Sequence, residues 1–263
     1  MSAEGVEALL RLSEVAQAWL AAGFLVFLRV GAAMALMPAF GEQVVPMRIR
    51  LAATFAFTVL LTPALADRLA PFTSDADAIA AAALPEVVAG LALGIAVRLF
   101  VMTLQIAGTM AAQSTSLAQF FGGHGVDPQP ALSQFLVMGG LALATATGLH
   151  VWLTSAFLES YEVLPPGRFV PAGALAEWGV ARVAQTFSMA FVLASPFLIA
   201  ALLYNIALGA INRAMPQLMV VFIGAPALVG GGLLLMLLVV PVILGLWLEG
   251  LNGFLRAPFE VAP

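Results

Sequence analysis

Arg29, Arg98, Gln105, His150 and Asn205 interrupt long apolar stretches of this chain. An ionisable or strongly polar group at membrane depth is costly enough that each is a candidate site for ion pairing, proton handling or ligand binding. Arg29 lies eight residues before Met37, about 12 Å along a helix, so its long side chain either snorkels or pairs with a carboxylate such as Glu42. His150 has no second histidine at ligand spacing, so a neutral imidazole hydrogen-bonded between helices is expected rather than a metal ligand. Asn205 is expected to bond across a helix pair rather than to bind a substrate. No HExxH, GxSxG or phosphate-cradling loop occurs, and no apolar helix carries two close carboxylates. Gly122 to Gly125 is glycine-rich but lacks the strand and helix of a nucleotide site. All ten basic residues are arginine and there is no cysteine, which removes Schiff-base lysines, thiolate nucleophiles and iron–sulfur ligation. No catalytic, cofactor-binding or metal-binding residue is expected.

The elements that carry these residues are apolar. Of 263 residues 62% are hydrophobic and 9% charged, and a mean hydropathy of +1.06 makes this an integral membrane protein. A net charge of −4 without a basic patch argues against nucleic acid. Six apolar segments can be drawn, at about 20–37, 51–65, 87–111, 132–158, 183–211 and 218–248. Helix is the expected state of each, because none alternates as a transmembrane strand would. Residues 2–17 form either an amphipathic lead-in or the first turns of helix 1, and with Glu4, Glu7 and Glu14 against Arg11 they lack the basic region of a signal peptide. The stretch between Arg213 and Glu249 carries no charge but contains Pro216, Pro226, Gly230 to Gly232 and Pro241, which predicts a short helix from Leu218, bent near Pro226 and continuing to Leu248. Such breaks need protein neighbours or water to satisfy the freed backbone. The arginines do not sort by side: Arg11, Arg68, Arg168, Arg182 and Arg256 fall on one, Arg48, Arg50 and Arg213 on the other.

Two features suggest packing and movement. Gly90 and Gly94 make a small-xxx-small pair, and Gly139, Gly140 and Gly148 give the fourth segment a smooth face, so close helix approach is expected at both. The connection from Gln113 to Gln134 sets Phe120 and Phe121 beside Gly122 and Gly123 and turns at Asp127-Pro128. Bulky aromatics beside flexible glycine suit a movable hydrophobic plug, and equally an ordinary loop whose phenylalanines dip into the interface.

Arg29, then Pro38-Ala39-Phe40-Gly41, Val45-Pro46, Arg50 and Leu61-Thr62-Pro63, resembles the opening of the FliR family. Ser195-Pro196, Asn205-Ile206-Ala207-Leu208-Gly209, Asn212-Arg213-Ala214-Met215-Pro216-Gln217 and Phe222-Ile223-Gly224-Ala225-Pro226 follow in the order and spacing of that family's C-terminal signature. The resemblance runs from about Phe24 to Leu248. It implies an all-α membrane subunit of the flagellar type III export gate, assembled with FliP and FliQ into a pore that FlhB contacts and that passes unfolded flagellar proteins. It further implies a FliP-like part over about 1–182 and a FliQ-like helical hairpin over about 183–263, with Asn212 to Gln217 as its tip. Arg213 and Gln217 would bind neighbouring subunits there. The segment from Ser114 to Pro128 would be the pore plug, and Arg29, Pro38, Pro46, Gly90, Gly94, Asn205, Gly209, Arg213, Pro216, Gln217 and Pro226 would serve helix packing and subunit contacts. The expected location is the bacterial inner membrane, in contact with lipid, with much of the assembly on the periplasmic side. The alternatives are a homologous injectisome subunit, a small-molecule permease built on broken helices, and an intramembrane enzyme, which lacks its nucleophile and base.

Overall fold

A computed structural model describes residues 3–38, 46–114, 130–215 and 220–260, which are almost wholly helical, with no strand among them. The helices are α1 (Ala3–Leu36), α2 (Met47–Leu69, followed by a 3₁₀ turn at Ala70–Phe72), α3 (Ala76–Ser114), α4 (Ala131–Ala146), α5 (Leu149–Val163), α6 (Ala172–Ala214) and α7 (Val220–Arg256). Five are long and apolar enough to cross a membrane, and α4 with α5 makes a sixth if that bent pair counts as one span.

Local signals set several ends. The Asp75 carboxylate accepts the Ala78 N–H at 2.7 Å and caps α3. Pro46 and Pro130 stand at the N-caps of α2 and α4 in extended conformations, where a missing N–H costs nothing. The acidic N-terminal residues belong to α1, which runs unbroken into the first apolar segment.

One expectation needs correction. The fourth apolar segment is not one helix: Gly148 takes φ +100°, and α4 and α5 meet at a bend of 81°. That conformation is open to glycine at little cost, so Gly148 makes the corner and takes no part in a packing face. The last segment is one helix, as expected, and α7 stays helical through Pro226, Gly230 to Gly232 and Pro241. Pro63, Pro85 and Pro196 likewise lie inside α2, α3 and α6. Each forfeits one backbone hydrogen bond without ending its helix, since in a long apolar helix the remaining bonds have no better partner.

The chain forms two compact units, Met1–Arg98 with His150–Ala181 and Phe254–Pro263, and Leu99–Leu149 with Arg182–Gly253. In the first, α1 and α2 run antiparallel, Gly23 facing Thr62 and Gly31 facing Thr54. Leu25, Val26, Val30, Met34, Leu61, Leu65, Leu93 and Phe157 make its core. In the second, Trp247 is fully buried, its ring tilted 46° to that of Phe100 at 6.0 Å, and donates its indole N–H to the Phe100 carbonyl at 3.2 Å. Gly108 and Gly140 let α3 meet α4 closely, since a Cβ on Gly108 would stand 2.5 Å from the Ser133 Cα.

Candidate functional site

Within the first unit α3 lies directly on α1. A Cβ on Gly90 would come within 2.1 Å of the Arg29 carbonyl oxygen, and one on Gly94 within 2.6 Å of that of Ala33. The small-xxx-small pair therefore does what its spacing implies, and the helix it meets is α1. Glu86 sits one turn before Gly90 on the same face, and this carries an acid to the guanidinium of Arg29.

Arg29 is 1% exposed and Glu86 0%. The guanidinium Nε donates to Glu86 Oε2 at 2.8 Å and Nη2 to Glu86 Oε1 at 3.0 Å, a two-pronged ion pair. Nη1 donates to the Ser160 carbonyl at 3.0 Å and to Ser160 Oγ at 3.2 Å, and Nη2 also to the Leu164 carbonyl at 2.9 Å. All five N–H donors are thus used. The guanidinium also lies over the Tyr161 ring, 3.6 Å from its centroid. Ser160, Tyr161 and Leu164 close the C-terminal turn of α5, where a positive charge meets the negative end of the helix dipole. One side chain so ties α1, α3 and α5 together. The acid that pairs with Arg29 is Glu86; Glu42 lies outside the described residues. A second pair, Arg68 with Glu162, joins α2 to α5 at the surface.

The other expected residues scatter. Arg98 and His150 are exposed and Gln105 is half-buried, so His150 is not held between helices as expected. Asn205 is exposed on α6, and the cross-helix bond expected of it is not made among the described residues; Gly209 has open space around its Cα. Arg213 is exposed in the last turn of α6, Pro38 is half-buried after α1, and Pro46 is exposed before α2. Ser114 ends α3 with its hydroxyl on the Ala111 carbonyl at 2.9 Å. Phe120, Phe121, Gly122, Gly123, Asp127 and Pro128 lie outside the described residues, as do Pro216 and Gln217, and Pro226 falls early in α7. Among the described residues no three His, Asp or Glu side chains gather to hold a metal ion.

What the sequence missed was Glu86, Ser160 and Tyr161. Glu86 reads as the last acid of a loop because Pro85 precedes it, whereas α3 starts ten residues earlier. Its spacing of four from Gly90 was the signal available.

The surface differs from the core in kind. Leu202, Leu203 and Ile206 on α6 and Leu234, Leu237 and Leu238 on α7 stand exposed. Such continuous apolar faces are covered by lipid or by other chains.

The pattern of the family described as bacterial export proteins, family 1, matches residues 20–253. The chain belongs to that family. Among its relatives is the flagellar biosynthetic protein FliR of Caulobacter vibrioides, 35% identical over 86% of this chain and 90% of the relative. The FliR of Escherichia coli K12 is 29% identical over 88% of each, and that of Aquifex aeolicus 28% identical over 82% of this chain and 84% of its own. Membership in this export family makes the chain a membrane-helical component of the flagellar export apparatus, and both the Arg29 cluster and the α1–α3 glycine contact fall within the family's span.

Proposed function

We propose that this chain is a non-enzymatic subunit of the flagellar type III export gate, forming the secretion pore with FliP and FliQ, in contact with FlhB, and passing unfolded flagellar proteins across the bacterial inner membrane. The observation that carries the reading is 35% identity over 86% of the chain to a protein named for flagellar biosynthesis. The uncovered apolar faces of α6 and α7 support it, because they would have to meet neighbouring subunits where lipid does not reach. Residues 1–182 act as the FliP-like part and 183–263 as the FliQ-like hairpin. Asn205, Gly209 and Arg213 are exposed and would meet such neighbours. Energy comes from partner proteins.

Co-expression of a tagged copy with FliP and FliQ, extraction in mild detergent and native mass spectrometry test the reading. A defined hetero-oligomer with one copy of this chain is expected. A monomer or homodimer, while FliP and FliQ assemble without it, would overturn it. The segment from Ser114 to Pro128 is the plug: deleting Phe120 to Gly123 should preserve assembly and make the membrane leaky to small solutes, and unchanged permeability would remove the plug. Replacing Asp127 and His150 together should leave secretion working; secretion abolished in a normally assembled complex would mean that the chain handles protons itself.

A further inference from the structure

Pro196 lies inside α6 and has no N–H to give the carbonyl of Val192, one turn before it. That carbonyl is not left bare, because the Ser195 hydroxyl donates to it at 2.7 Å. The residue before Pro63 does no such service: the Thr62 hydroxyl goes to the Thr58 carbonyl instead. In α6 a rotatable hydroxyl thus stands in for a fixed backbone bond. It can follow the carbonyl as the helix bends, and serine bonded in this way favours bending.

The packing of α6 ends just beyond. Ala190, Leu193, Ala194, Phe197 and Ala201 are buried, but no residue from Leu202 to Ala214 is. The neighbouring helix has its own weak point there. Gly231 and Gly232 of α7 stand across from Ala200, Ala201 and Tyr204 of α6, with a void of about 190 Å³ between them. Three successive glycines, Gly230 to Gly232, cost a helix about 1 kcal/mol each against alanine. An added Cβ at Gly230 or Gly231 would meet nothing within 4 Å, so packing inside the chain does not call for glycine at either. Beside the void the Tyr204 hydroxyl is buried and has no hydrogen-bond partner among the described residues, so this arrangement leaves one polar group of the joint unsatisfied.

We propose that Ser195-Pro196 and Gly230 to Gly232 form one hinge across α6 and α7, about which the ends of the two helices beyond it swing together as an arm. A bend in α6 alone would part the pair, whereas soft points facing each other across a void let both bend at once. From Pro196 to Ile211 the arm is about 22 Å long, and a proline-sized bend of about 20° moves its end by about 8 Å. On the export-gate reading the arm would keep its hold on a neighbouring subunit while the rest of the second unit shifts. The hinge itself does not depend on that reading.

The chain has no cysteine, so pairs of nitroxide labels can be placed freely. Ile211→Cys, near the end of the arm, is paired with Met138→Cys on α4 in one chain and with Val242→Cys on α7 in another, all at exposed positions. Double electron–electron resonance of the full chain in lipid nanodiscs should show distances spread over about 8 Å in at least one pair. Pro196→Ala, which restores the backbone bond, and the double variant Gly230→Ala with Gly231→Ala should each narrow that spread by at least about half. Gly209→Ala, on the arm itself with open space at its Cβ, should leave it unchanged. None of these changes adds a clash or a polar group, so each variant should fold, and circular dichroism checks it. Narrow distributions for both pairs without these variants, a lesser narrowing by either hinge variant, or equal narrowing by Gly209→Ala overturns the proposal. The readout is a distance within this chain, so it stands apart from whether the export-gate assembly forms.

Discussion

Arg29 is placed so that its charge has no route to water, and its worth depends on what remains when a partner is removed. Replacing Arg29 by Met leaves Glu86 buried beside uncapped carbonyls of Ser160 and Leu164, and should cost about 3–5 kcal/mol. Exchanging Glu86 for Leu as well removes the stranded charge and should restore most of that loss. Thermal unfolding of the detergent-extracted chain measures both; a double variant as unstable as the single one would mean that charge compensation is not the main role of the pair. Arg29→Lys should fall between, because an ammonium has three donors for five bonds and no flat face for Tyr161. Arg29 was recognisable in the sequence as a costly residue in an apolar run. Its partner was not, since Glu86 is four residues from Gly90 but 57 from Arg29, and only the approach of two backbones joins them.

Helix contacts depend on glycines that look alike in the sequence and differ in space. Leu at Gly90 or Gly94 must push α3 off α1, because the added carbon would overlap a backbone oxygen rather than a movable side chain, and the yield of folded chain should fall sharply. Leu at Gly209 meets nothing within 4 Å and should leave the isolated chain folded while weakening its retention by FliP and FliQ. Gel filtration of the chain and affinity capture of the complex separate the two effects. A normal yield from the Gly90 and Gly94 variants would remove the packing account. Gly148→Ala should lower stability by about 1 kcal/mol, as its φ of +100° is disfavoured for any residue with a Cβ. Proline marks helix starts at Pro46 and Pro130 but not helix ends within the apolar runs, since Pro63, Pro85 and Pro196 lie inside helices, whereas Gly148 makes a sharp corner.

At the scale of the whole chain, the faces left bare on α6 and α7 carry the last prediction. Leu237→Asp alters a 73% exposed position, so the chain should keep its helical content, while a carboxylate on a face that must meet lipid or protein should block recovery of the assembled complex. Normal recovery would mean that this part of α7 faces water. The sequence alone determined the all-α class, the places of the apolar segments, the lack of a recognisable catalytic motif, and the export family, because hydropathy, glycine spacing and signature residues are written locally along the chain. Only the tertiary structure decided that Glu86 answers Arg29, that α1 is the helix under Gly90 and Gly94, and that the fourth apolar segment folds at Gly148. The reason is the same in each case. Periodicity says which face of a helix is apolar or small, but the partner of a buried charge and the neighbour of a glycine are set by distances between segments dozens of residues apart.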